Sequence, residues 1–96
     1  MSISDEATWY LYLIRLKSGH LYTGITTDVT RRLGEHENSR GAKFLRGRGG
    51  LQLVFSRAVG DRSSALKIEA AVKKLPKQRK EALINGDFSI DEMSAD

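Results

Sequence analysis

The order strand, strand, helix, strand, helix, helix that can be traced along this chain predicts an α+β domain with one small sheet. Three observations carry that expectation. Two short runs of aromatic and aliphatic residues are separated only by Lys17-Ser18-Gly19-His20, two later segments space their apolar residues as helices do, and 96 residues support one core rather than two.

Trp9 to Leu16 and Leu21 to Ile25 are the first two strands. A three-residue loop of Lys17, Ser18 and Gly19, with Gly19 left-handed, pairs Leu16 with His20, Ile14 with Tyr22 and Tyr12 with Gly24. Tyr10, Tyr12 and Tyr22 then share a face. A two-residue Ser18-Gly19 turn would shift the pairing by one and part Tyr12 from Tyr22. Thr27 or Asp28 caps a helix to about Glu37, with Val29 and Leu33 as its apolar stripe. The glycine-rich, basic stretch from Asn38 to Gly50 is a loop, and Leu51 to Ala58 is the third strand. Asp61 caps a helix from Arg62 to Leu75 with a stripe of Ala65, Ile68, Val72 and Leu75. Pro76, the sole proline, separates it from a short helix over Lys77 to Ile84, which the Asn85-Gly86 signal stops. Residues 1–8 and the acidic 87–96 are expected to be flexible ends around a single domain over 9–86.

Without cysteine, disulfides, Cys-ligated zinc, iron–sulfur clusters and thiol nucleophiles are excluded. The longest apolar run, Trp9 to Ile14, is too short to span a bilayer, and no signal peptide is apparent, so a cytoplasmic protein with no membrane partner is expected. The net charge of +4 understates an asymmetry. Setting aside Asp5, Glu6, Asp87, Asp91, Glu92 and Asp96 leaves residues 7–86 with 16 basic against 6 acidic groups, a surplus of ten. A body that basic suits a phosphate-rich partner.

Arg32 and His36, four apart, neighbour each other on one helix surface near the strand end that carries Gly24. Spacing alone favours a surface basic pair. Glu69 lies at the margin of the apolar stripe, where a carboxylate needs either a basic partner, Arg32 among the candidates, or a cation. Tyrosines on a sheet ordinarily serve packing. Here two phenols opposite a glycine, an Arg-x-x-x-His pair and a lone inward Glu together have the parts that phosphodiester hydrolysis needs: charge neutralisation, an activated water and stabilisation of the leaving oxygen. Arg40, Lys43, Arg46 and Arg48 in the loop, with Arg57 on the third strand, give five cations and no acid over residues 40–57. Phe44 is interleaved among them. The loop glycines suit a backbone that follows a phosphate chain, and Phe44 suits stacking on an unpaired base.

Tyr10-Leu11-Tyr12, Tyr22-Thr23-Gly24, Arg32, His36 and Glu69, in that order and spacing, closely resemble the GIY-YIG nuclease domain, and most closely its small stand-alone YhbQ-like subfamily. Gly41-Ala42-Lys43, Leu53-Val54-Phe55, Lys74-Leu75 and Lys80-Glu81-Ala82-Leu83-Ile84 extend the resemblance over residues 9–85. It implies a three-stranded antiparallel sheet flanked by helices, order ββαβαα, and a metal-dependent endonuclease. Glu69 matches the family's metal ligand, for one divalent ion, Mg²⁺ or Mn²⁺. Tyr12 and Tyr22 match the two motif tyrosines, one of which would deprotonate or orient the attacking water. That requires cations to favour phenolate, since an ordinary tyrosine is a poor base at neutral pH. Arg32 would take the charge developing on the phosphate, His36 would relay a proton or hold a tyrosine hydroxyl, and Gly24 would let backbone and phosphate approach Tyr12. Tyr10 replaces the glycine of the first motif, and Asn85, near where some members place an asparagine, is not carried over.

The resulting expectation is hydrolysis of DNA, in preference to RNA, selected by backbone shape rather than base sequence, in repair or recombination, with a partner protein as a further source of selection. The competing expectation is a non-catalytic nucleic-acid-binding or adaptor module on the same scaffold.

Overall fold

The computed structural model describes residues 7–37 and 51–93. Strands β1 (Trp9–Arg15), β2 (Leu21–Thr26) and β3 (Gln52–Gly60) form an antiparallel sheet in the order β2-β1-β3, and helices α1 (Val29–Glu37), α2 (Arg62–Lys73) and α3 (Lys77–Asn85) cover it. The expected α+β class and ββαβαα order are therefore present. β1 is central, and its nearly unbroken apolar run fits a strand buried on both faces. Leu11 and Leu13 meet Ile68 and Val72 of α2 and Leu83 of α3 on one side. Tyr12, Ile14 and Leu16 meet Val29 and Leu33 of α1 on the other.

The hairpin adopts the three-residue loop. Gly19 has φ +94°, its N–H donates to the Leu16 carbonyl at 2.8 Å, and the Leu16 N–H donates to the His20 carbonyl at 2.9 Å. Tyr12 therefore pairs with Gly24 and Ile14 with Tyr22, which places Tyr10, Tyr12 and Tyr22 on one face. The reason for glycine at 24 is steric. A Cβ there would lie 2.5 Å from the Tyr12 hydroxyl and 2.6 Å from Cζ, so the Tyr12 ring occupies the space a side chain would take. Gly24 thus lets its own backbone approach the Tyr12 ring closely.

Asp28 is the cap of α1, its carboxylate accepting the Arg31 N–H at 3.0 Å. Asp61 caps α2 as expected, accepting from Ser64 N–H at 2.8 Å. α2 ends at Lys73, two residues earlier than expected. Lys74 and Leu75 instead donate to Ala71 and Val72 as a tightened last turn, because the residue before Pro76 is disfavoured from helical geometry. β3 runs on to Gly60, which ends it at φ +102°.

The expectation of a flexible tail from residue 87 is corrected for 87–93. Gly86, at φ +85°, closes α3 with its own N–H on Leu83 and the Asp87 N–H on Ala82, turning the chain back onto the sheet. Phe88, Ile90 and Met93 then join the core beneath α3, with Ile90 buried in a single 3₁₀ turn over Ile90–Glu92. Asp91 pairs with Arg57 of β3 at 2.9 Å. The acidic composition concealed three apolar residues that the turn directs inward.

Two outcomes follow. Gly24→Ala should cost about 1–3 kcal/mol by forcing Tyr12 out of place. In denaturant titrations, Gly24→Ala combined with Tyr12→Ala should cost less than the sum of the single changes. Ile90→Ala should lower stability by about 2–5 kcal/mol, as core truncations do, whereas a frayed tail would leave the unfolding midpoint unmoved.

Candidate functional site

The hairpin and α1 bring three rings together. Tyr12 and His36 are almost wholly enclosed, and Tyr12 Oη lies 3.2 Å from His36 Nε2. Tyr22 stands edge-on to His36 with centroids 5.1 Å apart, and 6.3 Å from the Tyr12 ring. It retains some exposure. This convergence follows from local rules: alternation puts Tyr12 and Tyr22 on the α1 side of the sheet, and the Asp28 cap starts α1 so that Arg32 and His36, one turn apart, face that side.

Arg32 is held by Glu35, with Nη1 donating to the carboxylate at 2.9 Å, and Glu35 also accepts from Arg31 at 2.6 Å. The two arginines keep the Glu35 carboxyl below its usual range, Arg32 contributing most. Arg32 also pulls the Tyr12 phenol's pKa down, first through a hydrogen bond to it and then through its charge. Burial outweighs it. The phenol lies above its ordinary value, with Tyr22 and Glu69 raising it further, so Tyr12 stays protonated in this state. Arg32, expected together with a metal ion to favour phenolate, does not do so by itself. His36 is pushed the other way, below its ordinary value, chiefly by burial and then by Arg32. The pair is a neutral phenol hydrogen-bonded to a neutral imidazole whose Nδ1 has no hydrogen-bond partner.

Glu69 lies on α2, which packs the opposite face of the sheet, yet its carboxylate contributes to the field at Tyr12. Its basic partner is Lys73, one turn on at 3.4 Å, not Arg32. Its side chain is 19% exposed, so a cation could displace Lys73 without unpacking the core. Among the described residues no three of His, Cys, Asp and Glu come together as a cage. A lone carboxylate of this kind suits Mg²⁺ or Mn²⁺ that keep most of their ligands as water and substrate oxygens.

Of the residues singled out in the sequence, the structure gathers Tyr12, Tyr22, Gly24, Arg32 and His36, with Glu69 at their margin. Arg57 does not join them. Its partner across the sheet is Leu11, so it faces the α2–α3 side and engages Asp91. Arg40, Lys43, Arg46 and Arg48 lie outside the described residues. Sequence inspection missed Glu35 and Lys73, although Arg32–Glu35 and Glu69–Lys73 have the three- and four-residue spacings that signal helix ion pairs.

Because His36 resists protonation when folded, the unfolded chain binds the proton more readily, and acidification below about pH 6.5 should erode stability. Unfolding midpoints measured between pH 7.5 and pH 5.5 should fall more steeply for the native chain than for His36→Gln. Equal slopes would mean that His36 is not held neutral.

Comparison with known proteins follows the same lines. Residues 8–82 match the GIY-YIG catalytic domain. UPF0213 proteins from Yersinia pestis and Yersinia pseudotuberculosis are 60% identical over 80 residues, covering 83% of this chain and 84% of theirs. The solution NMR structure of a UPF0213 protein from Bacillus halodurans aligns with a TM-score of 0.54 at 36% identity, covering 92% of this chain and 97% of that one. No helix among the described residues is long and apolar enough to cross a membrane. A ring cluster on the first two strands and first helix, within a match that spans most of the chain, identifies this protein as a member of the GIY-YIG family, whose catalytic domain implies a nuclease-type function.

Proposed function

We propose that this protein is a metal-dependent endonuclease that hydrolyses phosphodiester bonds of DNA, selecting its substrate by backbone shape. The observation that carries the proposal is the buried contact between Tyr12 Oη and His36 Nε2, beside Arg32 and within the field of Glu69. A module that only binds phosphate has no use for a neutral phenol and a neutral imidazole joined in the interior, where each polar group costs desolvation.

The two neutral groups form a proton relay. Tyr12 passes its own proton to Nε2 as its oxygen takes one from the attacking water, so no free phenolate is needed and His36 ends the step as imidazolium. Tyr22, the partly exposed phenol, orients that water. The hydroxide so formed bonds to phosphorus, the scissile P–O bond breaks, and the leaving oxygen is protonated by solvent. Arg32 retains guanidinium donors beyond the one given to Glu35 and offers them to the charge developing on the phosphate. Glu69 would hold the divalent cation, which when bound supplies Lewis-acid polarisation of the phosphate.

The test separates turnover from binding. Tyr12→Phe and Arg32→Ala should each lower cleavage of a labelled DNA by about 10²–10⁴-fold while affinity changes little. Glu69→Ala should abolish cleavage and the response to metal. Full activity in these folded variants would sink the assignment, and binding without turnover by the native chain would favour a non-catalytic module.

A further inference from the structure

Five of the sixteen basic residues fall between Glu69 and Glu81: Lys73, Lys74, Lys77, Arg79 and Lys80, with no acid among them. They occupy the end of α2, the turn through Pro76 and the start of α3. The turn is anchored at both sides. Lys73 sits at the Glu69 carboxylate, and Lys77 Nζ lies against Gly19 of the hairpin loop, 3.7 Å from where a Cβ would be. Arg79 is taken up by the ring of Phe88, its guanidinium 4.1 Å from the centroid. Lys74 and Lys77 are exposed and have no ion-pair partner among the described residues.

Such a cluster raises the energy of the free protein. Like charges on adjacent turns repel, and α3 begins with cations and no acid in its first turn, against its dipole. Elsewhere among the described residues four arginines meet a carboxylate: Arg15 has Glu81, Arg31 and Arg32 share Glu35, and Arg57 has Asp91. On the α2–α3 turn cations outnumber carboxylates. Glu69 meets Lys73, and Glu81, already bonded to Arg15, is the acid that Lys77 acts on, while Lys74 has no carboxylate within ion-pair distance among the described residues. The run begins one turn beyond Glu69. We infer that Lys74 and Lys77 bind the polynucleotide backbone beside the scissile phosphate, so that the strand leaves the site along the α2–α3 turn toward the hairpin loop. The inference rests on the nuclease reading above and adds a binding surface to it.

Lysines that meet phosphate release counterions, each contributing about 0.9 to the slope of log affinity against log salt on duplex DNA. The experiment measures that slope for the full chain on a labelled duplex, alongside Lys74→Gln/Lys77→Gln and a control of equal charge, Arg62→Gln/Lys67→Gln, at the far end of α2. Thermal unfolding checks that all three are folded. The expected result is a slope reduced by about 1.8 in the Lys74/Lys77 variant, with a much smaller change in the control. Equal reductions in both variants would mean a general charge effect, and an unchanged slope in the Lys74/Lys77 variant would mean no contact. Either overturns the inference while leaving the nuclease reading intact. Absence of binding by the native chain overturns both.

Discussion

The ring of Tyr12 rests against the backbone of Gly24, so close that no side chain fits between them, and the candidate site depends on that contact. It requires Tyr12 and Gly24 to be cross-strand partners, which the three-residue loop with Gly19 at positive φ provides. A shift of one residue would send Tyr12 to the α2 side and leave His36 without its phenol. Hairpin loop, strand register and first-helix cap are thus three conditions on the position of one hydroxyl group.

The price of that position is paid in polar desolvation. His36 and Tyr12 lie within the layer between sheet and α1, and the Nδ1 of His36 finds no partner there. Burial raises the phenol and lowers the imidazole, so both stay neutral and the proton between them is shared without a formal charge in the interior. Arg32 brings the positive charge to the edge of this layer, held by Glu35 and hydrogen-bonded to the Tyr12 phenol. Glu69 approaches from the other layer and influences the same phenol. The sheet therefore brings a phenol–imidazole pair, a guanidinium and a lone carboxylate together from separate elements, and the proposed hydrolytic function rests on that convergence.

Much of this was legible in the residues. The hairpin and the Arg32–His36 helix face can be read from the residues, while the choice between a three-residue loop and a two-residue Ser18-Gly19 turn is decided by the hydrogen bonds of Leu16 with Gly19 and His20. What local patterns could not reveal depends on distant parts of the chain. The tail after Gly86 is acidic and looks solvated, and only the left-handed cap shows why Phe88 and Ile90 turn inward. Arg57 looks like one more cation of the basic loop, but its pairing with Leu11 across the sheet turns it toward Asp91, 34 residues away. The competition between burial and Arg32 at the Tyr12 phenol is a balance of surroundings that no motif encodes.

Whether this arrangement hydrolyses phosphodiester bonds can be read by incubating the native chain with labelled duplex, single-stranded, flap and four-way-junction DNAs in Mg²⁺, Mn²⁺ or EDTA. Cleavage of the flap or the four-way junction, only with metal and in preference to plain duplex, is the expected result. Failure to cut any of them with either metal, by protein shown to be folded and able to bind the same DNAs, would contradict it.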